Sequence, residues 1–333
     1  MKREITISAP GKLMLLGEHA VVYNRPCIVT AVGQRMRATV ELTEKSTFQL
    51  NAPDVQIANY QKPMDQLGIG DLPKGAKFVE IAVVNFLRSL LEYSRSDLVK
   101  PGVKVSTTSE FSSQFGFGSS SASTVCVIKA LSEITEANLN NKEIFDLAYK
   151  TVLDIQGKGS GFDAAAATFG GTLYFVTGGK TIEPLNIDSL PLIVGYSGIK
   201  ADTVTLINQV KEKAGGNPQA VEDIYDNIGK LVEQAKLALL GKDWQSLGEL
   251  MNENQKLLTK LGVSINKLDD MIAAALKAGA YGAKLSGAGG GDCMIALAPE
   301  DKVQAVKDGI TSVGGQIIEV ETNAEGARIE TRD

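Results

Sequence analysis

The residues best suited to chemistry lie in the stretch 110–131, EFSSQFGFGSSSASTVCVIKAL, where glycines and hydroxyl residues lead directly into an apolar helical pattern. Glycine lets the backbone come close to a ligand, and the N-terminus of a helix offers unpaired N–H groups at the positive end of its dipole. Together these features predict an anion site of the kind most often used for phosphate. The residues of this predicted site are Gly116, Gly118, Ser119, Ser120 and Ser121.

A serine hydroxyl in such a loop is suited to a Mg²⁺ ion that also binds phosphate oxygens. A Gly/Ser linker that merely caps a helix is the alternative interpretation. The segment contains neither a Walker A loop, GxxxxGK[ST], nor the third glycine of a dinucleotide fingerprint. Taken alone, the stretch therefore leaves phosphate binding and simple helix capping open.

A second glycine cluster lies at 284–293, KLSGAGGGDC, between two segments of regular structure. Four of the five residues 287–291 are glycine. A tight, strained turn is one reading of this cluster, but such a turn needs fewer glycines. The cluster therefore predicts a backbone surface that lies against a substrate or its phosphates.

A third stretch, 9–23 (APGKLMLLGEHAVVY), places an apolar run between Lys12 and the pair Glu18 and His19. Charged residues at both ends are unusual for a plain buried strand. On the residues alone, the simpler account makes Lys12 and Glu18 a solvated rim and His19 a buried, hydrogen-bonded histidine. This stretch by itself predicts no site.

Length and composition restrict the class of protein. A chain of 333 residues suggests two domains, and the scattered basic residues with a net charge of −5 argue against a nucleic-acid partner. No apolar run approaches the roughly 20 residues of a membrane span, and the first ten residues lack a signal-peptide core. Three distant cysteines and one histidine argue against disulfides and metal centres built from Cys or His, and they favour a reducing, cytoplasmic location. The four residues are Cys27, Cys126, Cys293 and His19.

Hydrophobic patterns predict the elements that position these motifs. Strands are predicted at 4–8, 36–42, 103–107, 170–176, 192–196, 293–297 and 316–321. Helices are predicted at 78–93, 119–131, 141–155, 221–240, 244–261, 272–278 and 302–313. The polar residues 43–77 are interpreted as irregular structure or a mobile flap. Because helices and strands mix without a regular βαβ alternation, the pattern favours an α+β fold, with the chain divided near 184–190.

The three stretches together resemble the three motifs of the GHMP kinase family, in family order and near family spacing. The first match is Ala9-Pro10-Gly11-Lys12 with Gly17-Glu18-His19. The second is Gly116-Phe117-Gly118-Ser119-Ser120-Ser121-Ala122, with Phe117 where leucine is common. The third is Ser286-Gly287-Ala288-Gly289-Gly290-Gly291. The combination covers essentially the whole chain and is far more specific than any one glycine loop.

The resemblance implies a two-domain GHMP kinase fold. Residues 1–186 would form an ATP-binding domain similar to ribosomal protein S5 domain 2, and residues 187–333 a ferredoxin-like domain. ATP and its acceptor would meet in the cleft between them. The partners implied are therefore small molecules, ATP and its acceptor, and the resemblance leaves the oligomeric state open, with a homodimer as one alternative.

The acceptor is less firmly indicated, because this family phosphorylates several small molecules and fold alone does not choose among them. The GEHAVV form of the first motif, the segment 197–203 (SGIKADT) and the loop 159–163 (GSGFD) resemble the family branch that phosphorylates mevalonate. The longer run GSGFDAAAATFGG and the GGDC at 290–293 resemble equally well the branch that phosphorylates 5-phosphomevalonate. The diphosphomevalonate decarboxylases and non-catalytic binding proteins of this fold are weaker alternatives.

The resemblance also implies roles for single residues. Asp163 would accept or orient the proton of the acceptor hydroxyl, and Lys12 would favour the developing alkoxide. The loop from Gly116 to Ser121 would bind the phosphates of ATP, and Ser120 would contribute to Mg²⁺. The residues implied at the acceptor are Glu18, His19, Thr203, Gly287, Ala288 and Gly289, with Lys200 as a weaker candidate for its carboxylate. Without the resemblance, Asp163 would be interpreted as a helix-capping or turn aspartate.

One position departs from the family pattern. Eleven residues before the catalytic aspartate, animal-type members have a glutamate that binds Mg²⁺, but this chain has Val152. Asp154 is two residues further on, and two residues apart on a helix point in different directions. The prediction is therefore that Ser120, the phosphates and water hold most of the ion.

Overall fold

The computed structural model describes residues 4–92 and 102–332. The strands are β1 (Glu4–Leu16), β2 (Pro26–Thr43), β3 (Thr47–Ala52), β4 (Ile57–Pro63), β5 (Gly102–Ser109), β6 (Thr172–Val176), β7 (Thr181–Pro184), β8 (Leu192–Tyr196), β9 (Gly282–Ser286), β10 (Cys293–Leu297), β11 (Gln316–Ile318) and β12 (Arg328–Arg332). The helices are α1 (Lys77–Glu92), α2 (Ser119–Ile134), α3 (Asn141–Gln156), α4 (Phe162–Phe169), α5 (Thr203–Gly216), α6 (Pro218–Leu240), α7 (Trp244–Leu261), α8 (Asn266–Lys277) and α9 (Val303–Ser312).

The first sheet has the strand order β12-β1-β2-β5-β3-β4, and β6 and β7 extend it from β2. Helix α2 packs on β1 and β2, and α1, α3 and α4 pack around α2. The long strand β1 explains the unusual third stretch of the sequence, because its last ten residues are all buried between the sheet and these helices. Lys12 is therefore a buried residue of β1 rather than part of a solvated rim.

The second sheet has the order β11-β8-β10-β9 and is antiparallel throughout the described residues. Strands β9 and β10 are completely buried, and α7 and α8 pack against both of them. The expected α+β class with two sheets and no βαβ alternation is confirmed.

The interpretation of residues 43–77 as irregular structure was wrong for most of their length. They form the hairpin β3–β4, whose inward residues Phe48, Leu50 and Ala52 alternate with more exposed neighbours. The signal was weak because β4 is an edge strand with no fully buried residue. The predicted helix 78–93 is confirmed as α1, and its last predicted residue lies outside the described residues.

The end of the chain returns to the first sheet. Strand β12 pairs with β1 in antiparallel register, with Ile5 opposite Arg332. The buried guanidinium of Arg35 donates to the carbonyls of Glu325 and Gly326, at 2.8 and 2.7 Å, and so fixes the approach to this strand. The expected second domain, 187–333, therefore loses its last strand to the first sheet, whereas the division at 186/187 stays a prediction.

None of the described helices combines the length and the hydropathy that crossing a membrane requires.

Candidate active site

Lys12 connects β1 to the predicted phosphate loop through both its backbone and its side chain. Its backbone N–H donates to the carbonyl of Phe117 at 3.0 Å, and its Nζ donates to the carbonyl of Gly116 at 2.8 Å. The ring of Phe117 is buried and packs against Phe111 and Phe115 at centroid distances of 5.8 and 5.7 Å. Phe117 therefore anchors the loop in the core, a role that leucine fills in the common form of the motif.

The loop leads into the N-terminus of α2, as the sequence predicted. Gly118 is the N-cap residue and has φ of +79°, a left-handed conformation that glycine adopts without steric cost. The first hydrogen bond into the helix runs from the N–H of Ala122 to the carbonyl of Gly118, at 3.0 Å. The amides of residues 119–121 precede this bond, so they lie where a helix N-terminus binds anions. Ser119 and Ser120 are half-buried and Ser121 is buried.

Asp163 lies beside Lys12, although 151 positions separate them in the chain. Its Oδ1 is 3.1 Å from Lys12 Nζ, and the two side chains are 30% and 7% exposed. Asp163 is the second residue of α4, whose N-cap is Gly161, and the buried alanines 164–167 let this short helix pack closely on β1 and α2. Lys12 Nζ also lies 5.2 Å from the ring centroid of Phe162. The ammonium is thus held by a carboxylate, a carbonyl and an aromatic face, and the carboxylate remains open to water.

Gly118 is required where the loop passes this pair. A Cβ at that position would lie 3.2 Å from Asp163 Oδ1 and 3.3 Å from Lys12 Cε. Gly118→Ala should therefore lose about 1–2 kcal/mol through its left-handed backbone. It should also lose about tenfold in kcat, because a displacement of about 1 Å in an active site costs on the order of 100-fold.

Gly157→Ala is the matched control for that substitution. Gly157 has φ of +71°, but a Cβ there would have no atom within 4 Å. It should lose similar stability in a thermal melt and keep its activity. Equal activity losses in the two variants would show that backbone strain, and not contact with Asp163 and Lys12, explains the effect.

Asp292 joins the third motif to the other side of the phosphate loop. A Cβ on Gly116 would lie 2.5 Å from Asp292 Oδ2, so the carboxylate lies directly against the loop. Its Oδ1 accepts from the N–H of Ala201 at 3.0 Å and is 3.1 Å from Lys200 Nζ. Lys200, the weaker candidate for the acceptor's carboxylate, is thus paired with Asp292 in this structure.

The glycines of the third motif have two different surroundings. A Cβ on Gly289, Gly290 or Gly291 would come within 2.6 Å of Val263, Leu206 or Ile199, so packing inside the protein explains these three. A Cβ on Gly287 would meet no atom within 4 Å. Gly287 and its neighbour Ala288 are half-buried. The prediction of a backbone surface for substrate therefore fits residues 287–288 best, and Gly289 is buried.

The first motif meets the third motif through Glu18 and His19. Glu18 is buried and pairs with Lys284, and its Oε2 accepts from Asn254 Nδ2 at 3.2 Å. His19 has φ of +60°, and its Nε2 donates to the carbonyl of Ala288 at 2.8 Å. Burial of the ring lowers the pKa of His19 below its ordinary 6.5, against smaller raising effects of Ala288 and Glu18. The neutral ring is therefore the form that this contact favours.

The lowered pKa of His19 predicts a pH dependence of stability. Between its folded-state pKa and about 6.5, the unfolded chain binds a proton that the folded chain does not, so stability falls as the pH falls through this window. His19→Gln should remove this loss, and a histidine-specific effect can be assigned because the chain has one histidine. Thermal melts from about pH 7.5 to about pH 5.5 would test it. Parallel curves for the two proteins would contradict the prediction.

The position of the missing glutamate is occupied as the sequence indicated. Val152 is 8% exposed on α3. The exposed Asp154 binds Lys150 at 2.6 Å and Asn85 at 2.9 Å, so it is engaged elsewhere. Within residues 4–92 and 102–332, no group of three or more His, Cys, Asp or Glu side chains is arranged to hold a metal ion.

The structure thus brings Lys12, Asp163 and the loop of residues 116–121 together. It connects His19 to Ala288 at the neighbouring third motif. Thr203 is the first residue of α5, three positions after the paired Lys200. Glu18 lies behind His19 in the protein interior.

Comparison with known proteins agrees with this geometry. The family of GHMP kinases N terminal domains matches residues 79–171, and the family of GHMP kinases C terminal domains matches residues 230–316. The mevalonate kinase of Thermococcus gammatolerans is 37% identical over 98% of both chains. This chain belongs to the GHMP kinase family.

Solved structures of GHMP kinases extend the match to the fold. The crystal structure of Methanococcus jannaschii mevalonate kinase superposes with a TM-score of 0.78 at 28% identity, covering 96% of this chain and 98% of that one. The structure of L. major mevalonate kinase in complex with R-mevalonate gives a TM-score of 0.73 at 27% identity, covering 96% and 95%. The GHMP kinase fold expected from the three motifs is confirmed.

Two residues at this site were missed as functional candidates. Lys284 is a single lysine in an otherwise uncharged, buried strand, GAKLS, and a buried charge needs a partner. That was a usable signal, although it did not identify Glu18 as the partner. Asp292 was noted only as part of a resemblance, and its contact with Gly116 depends on the packing of two distant loops.

Proposed function

We propose that this GHMP kinase transfers the γ-phosphoryl group of ATP to the primary hydroxyl of mevalonate and produces 5-phosphomevalonate. The observation that carries the proposal is the Lys12–Asp163 pair beside the glycine loop, in a chain whose full-length relatives are mevalonate kinases. Those relatives are 37–38% identical over at least 98% of this chain.

The phosphates of ATP would bind at the N-terminus of α2. Its first amides and the backbone of Gly116–Ser121 face an anion with the positive end of the helix dipole. The nearby Lys12 adds a full positive charge, which suits a transition state with charge spread over the phosphoryl oxygens.

Magnesium fits this set of donors. Mg²⁺ takes oxygen ligands, keeps several waters and is usually bound through one or two carboxylates plus substrate phosphates. The hydroxyl of Ser120 and the water-accessible carboxylate of Asp163 are the protein groups that would hold it. When bound, the ion would neutralise charge on the phosphates of ATP.

The acceptor hydroxyl would lie beside Asp163. Its carboxylate is positioned to accept or orient the hydroxyl proton, and Lys12 favours the alkoxide that develops as the proton leaves. His19, Thr203 and the backbone of residues 287–288 are the groups proposed to orient the rest of the acceptor.

The alternative acceptor is 5-phosphomevalonate, which two sequence resemblances favour. This acceptor brings an additional phosphate whose charge has to be neutralised. Lys200, a cation near the phosphate loop, is already paired with Asp292 at 3.1 Å. Together with the names of the full-length relatives, this pairing favours mevalonate.

An assay that couples ADP release to a change in absorbance tests the proposal. Mevalonate and 5-phosphomevalonate are supplied separately with Mg²⁺-ATP, and CO₂ release is followed in parallel. ADP release with mevalonate alone is expected. Turnover with 5-phosphomevalonate alone would assign the alternative acceptor, and CO₂ release from the diphosphate would assign the decarboxylase.

A further inference from the structure

The first and third motifs are joined by a row of polar contacts. Three residues two apart along β9 and its extension contact the end of β1 and the turn after it: Lys284 with Glu18, Ser286 with Met14, and Ala288 with His19. Residues two apart on a strand share one face, so a single face of the third motif makes all three contacts. Ser286 Oγ both accepts from the N–H of Met14 and donates to its carbonyl, each at 3.0 Å.

The ion pair between Glu18 and Lys284 is the most deeply buried of these contacts. Neither side chain has any exposed surface. Both carboxylate oxygens of Glu18 are engaged, one by Lys284 and the other by Asn254. Glu18 therefore has no oxygen directed to a bound acceptor in this conformation.

Stability alone is a weak reason for such a pair. Burial lowers the pKa of Lys284, against the opposing effect of the Glu18 carboxylate, which reflects the cost of removing the ammonium from water. Apolar side chains of similar size often replace a buried ion pair without loss of stability. A charged pair at this point calls for a role beyond holding the fold together.

Lys284 lies on a strand that is fixed from its other side. In the second sheet β9 is an edge strand, and side chains of α7 satisfy its free amides: Asn252 accepts from Ala283 and Gln255 accepts from Leu285, each at 3.0 Å. Gly248 of α7 lies directly against Gly282, where a Cβ would come within 2.0 Å of the Gly248 carbonyl oxygen. The strand is thus a firm support, and Glu18 is the residue that Lys284 holds in place.

The residue next to Glu18 needs such support. His19 has φ of +60° and ψ of −50°, a conformation that residues other than glycine rarely adopt. Strained conformations persist where the surrounding structure determines them. The ring contact with Ala288 and the buried pair at Glu18 act on His19 from its two sides.

We propose that Glu18 and Lys284 are positioning residues, whose buried ion pair holds His19 against the Ala288 carbonyl, and that Glu18 does not itself contact the acceptor. The effect on the acceptor rests on the proposed function, whereas the effect on His19 does not. The proposal replaces the role that the family resemblance implied for Glu18.

Kinetics of Glu18→Met, Lys284→Met and the double variant separate positioning from the other two explanations. The double variant should regain the melting temperature that either single variant loses. Its KM for mevalonate should nevertheless stay raised, by about tenfold, with the KM for ATP unchanged. Lys284→Met should raise the same KM as much as Glu18→Met.

Two kinetic outcomes would overturn the proposal. A normal KM in a folded Lys284→Met variant would mean that Glu18 contacts the acceptor directly. A normal KM in the double variant would mean that the pair serves stability alone. Lys236→Met is the control, because Lys236 and Glu183 form another ion pair between α6 and the first sheet, at 2.6 Å. It should change neither KM.

Nuclear magnetic resonance of the His19 ring tests the proposal without any turnover. His19 is the one histidine of the chain, so its ring signals need no assignment among several. The ring N–H that donates to Ala288 should be protected from exchange in the wild-type protein and in Lys236→Met, and should lose protection in the double variant. Unchanged protection in the double variant would overturn the proposal. Lost protection in a protein that does not phosphorylate mevalonate would support positioning and reject the proposed function.

Discussion

We expect Asp163→Asn to lower kcat by about 10²–10⁴-fold, the range over which a positioned acid or base contributes. Asparagine has the same shape, so the N-terminus of α4 and the contact with Gly118 are preserved. The amide cannot accept the hydroxyl proton and no longer balances the charge of Lys12, 3.1 Å away. Because the carboxylate is 30% exposed, losing the ion pair should cost only about 0–1 kcal/mol of stability.

Asp154→Asn is the matched control for this variant. It makes the same chemical change at an exposed aspartate that binds Lys150 and Asn85. Steady-state kinetics and a thermal melt of both variants complete the test. Asp154→Asn should keep its activity and its requirement for Mg²⁺. Near-normal turnover of folded Asp163→Asn would remove Asp163 from the mechanism.

We expect Lys12→Met to lower kcat by about 10²–10³-fold, the cost of removing one donor that stabilises transition-state charge. Methionine matches the length of the lysine stem and keeps the apolar contact with Phe162. The variant loses the ammonium that lies between Asp163 and the Gly116 carbonyl. Since Gly116 is half-buried, water can replace the lost hydrogen bond, and the protein should stay folded.

The double variant Lys12→Met/Asp163→Asn distinguishes a shared step from two separate ones. Residues that act as a unit give effects far smaller than the product of their single effects. The double variant should therefore lose little more activity than Asp163→Asn. Multiplied losses would mean that the two residues act in different steps.

The sequence predicted the phosphate loop and most of the elements for local reasons. The glycines at 116 and 118 and the start of α2 depend on backbone conformation and helix capping, which neighbouring residues decide. Strong apolar periodicity similarly located α3 and α7. The edge strand β4 was missed because its pattern of exposure carries no such periodicity.

The site itself depends on contacts between distant parts of the chain. Asp163 and Lys12 were identified through family resemblance, since nothing local distinguishes Asp163 from a helix-capping residue. The partner of Glu18 is 266 positions away, and local sequence carries no information about that pairing. Lys200 was assigned to the acceptor because nothing near it in sequence revealed Asp292.

The most direct measurement is a phosphorus NMR spectrum of the wild-type protein with Mg²⁺-ATP and mevalonate. The γ-phosphate signal of ATP should decay as ADP and a new phosphomonoester signal grow. That new signal should be split into a triplet by two protons, because the primary hydroxyl of mevalonate is on a CH₂ group. An unsplit ester signal, inorganic phosphate alone or no change in ATP would contradict the proposed transfer to that hydroxyl.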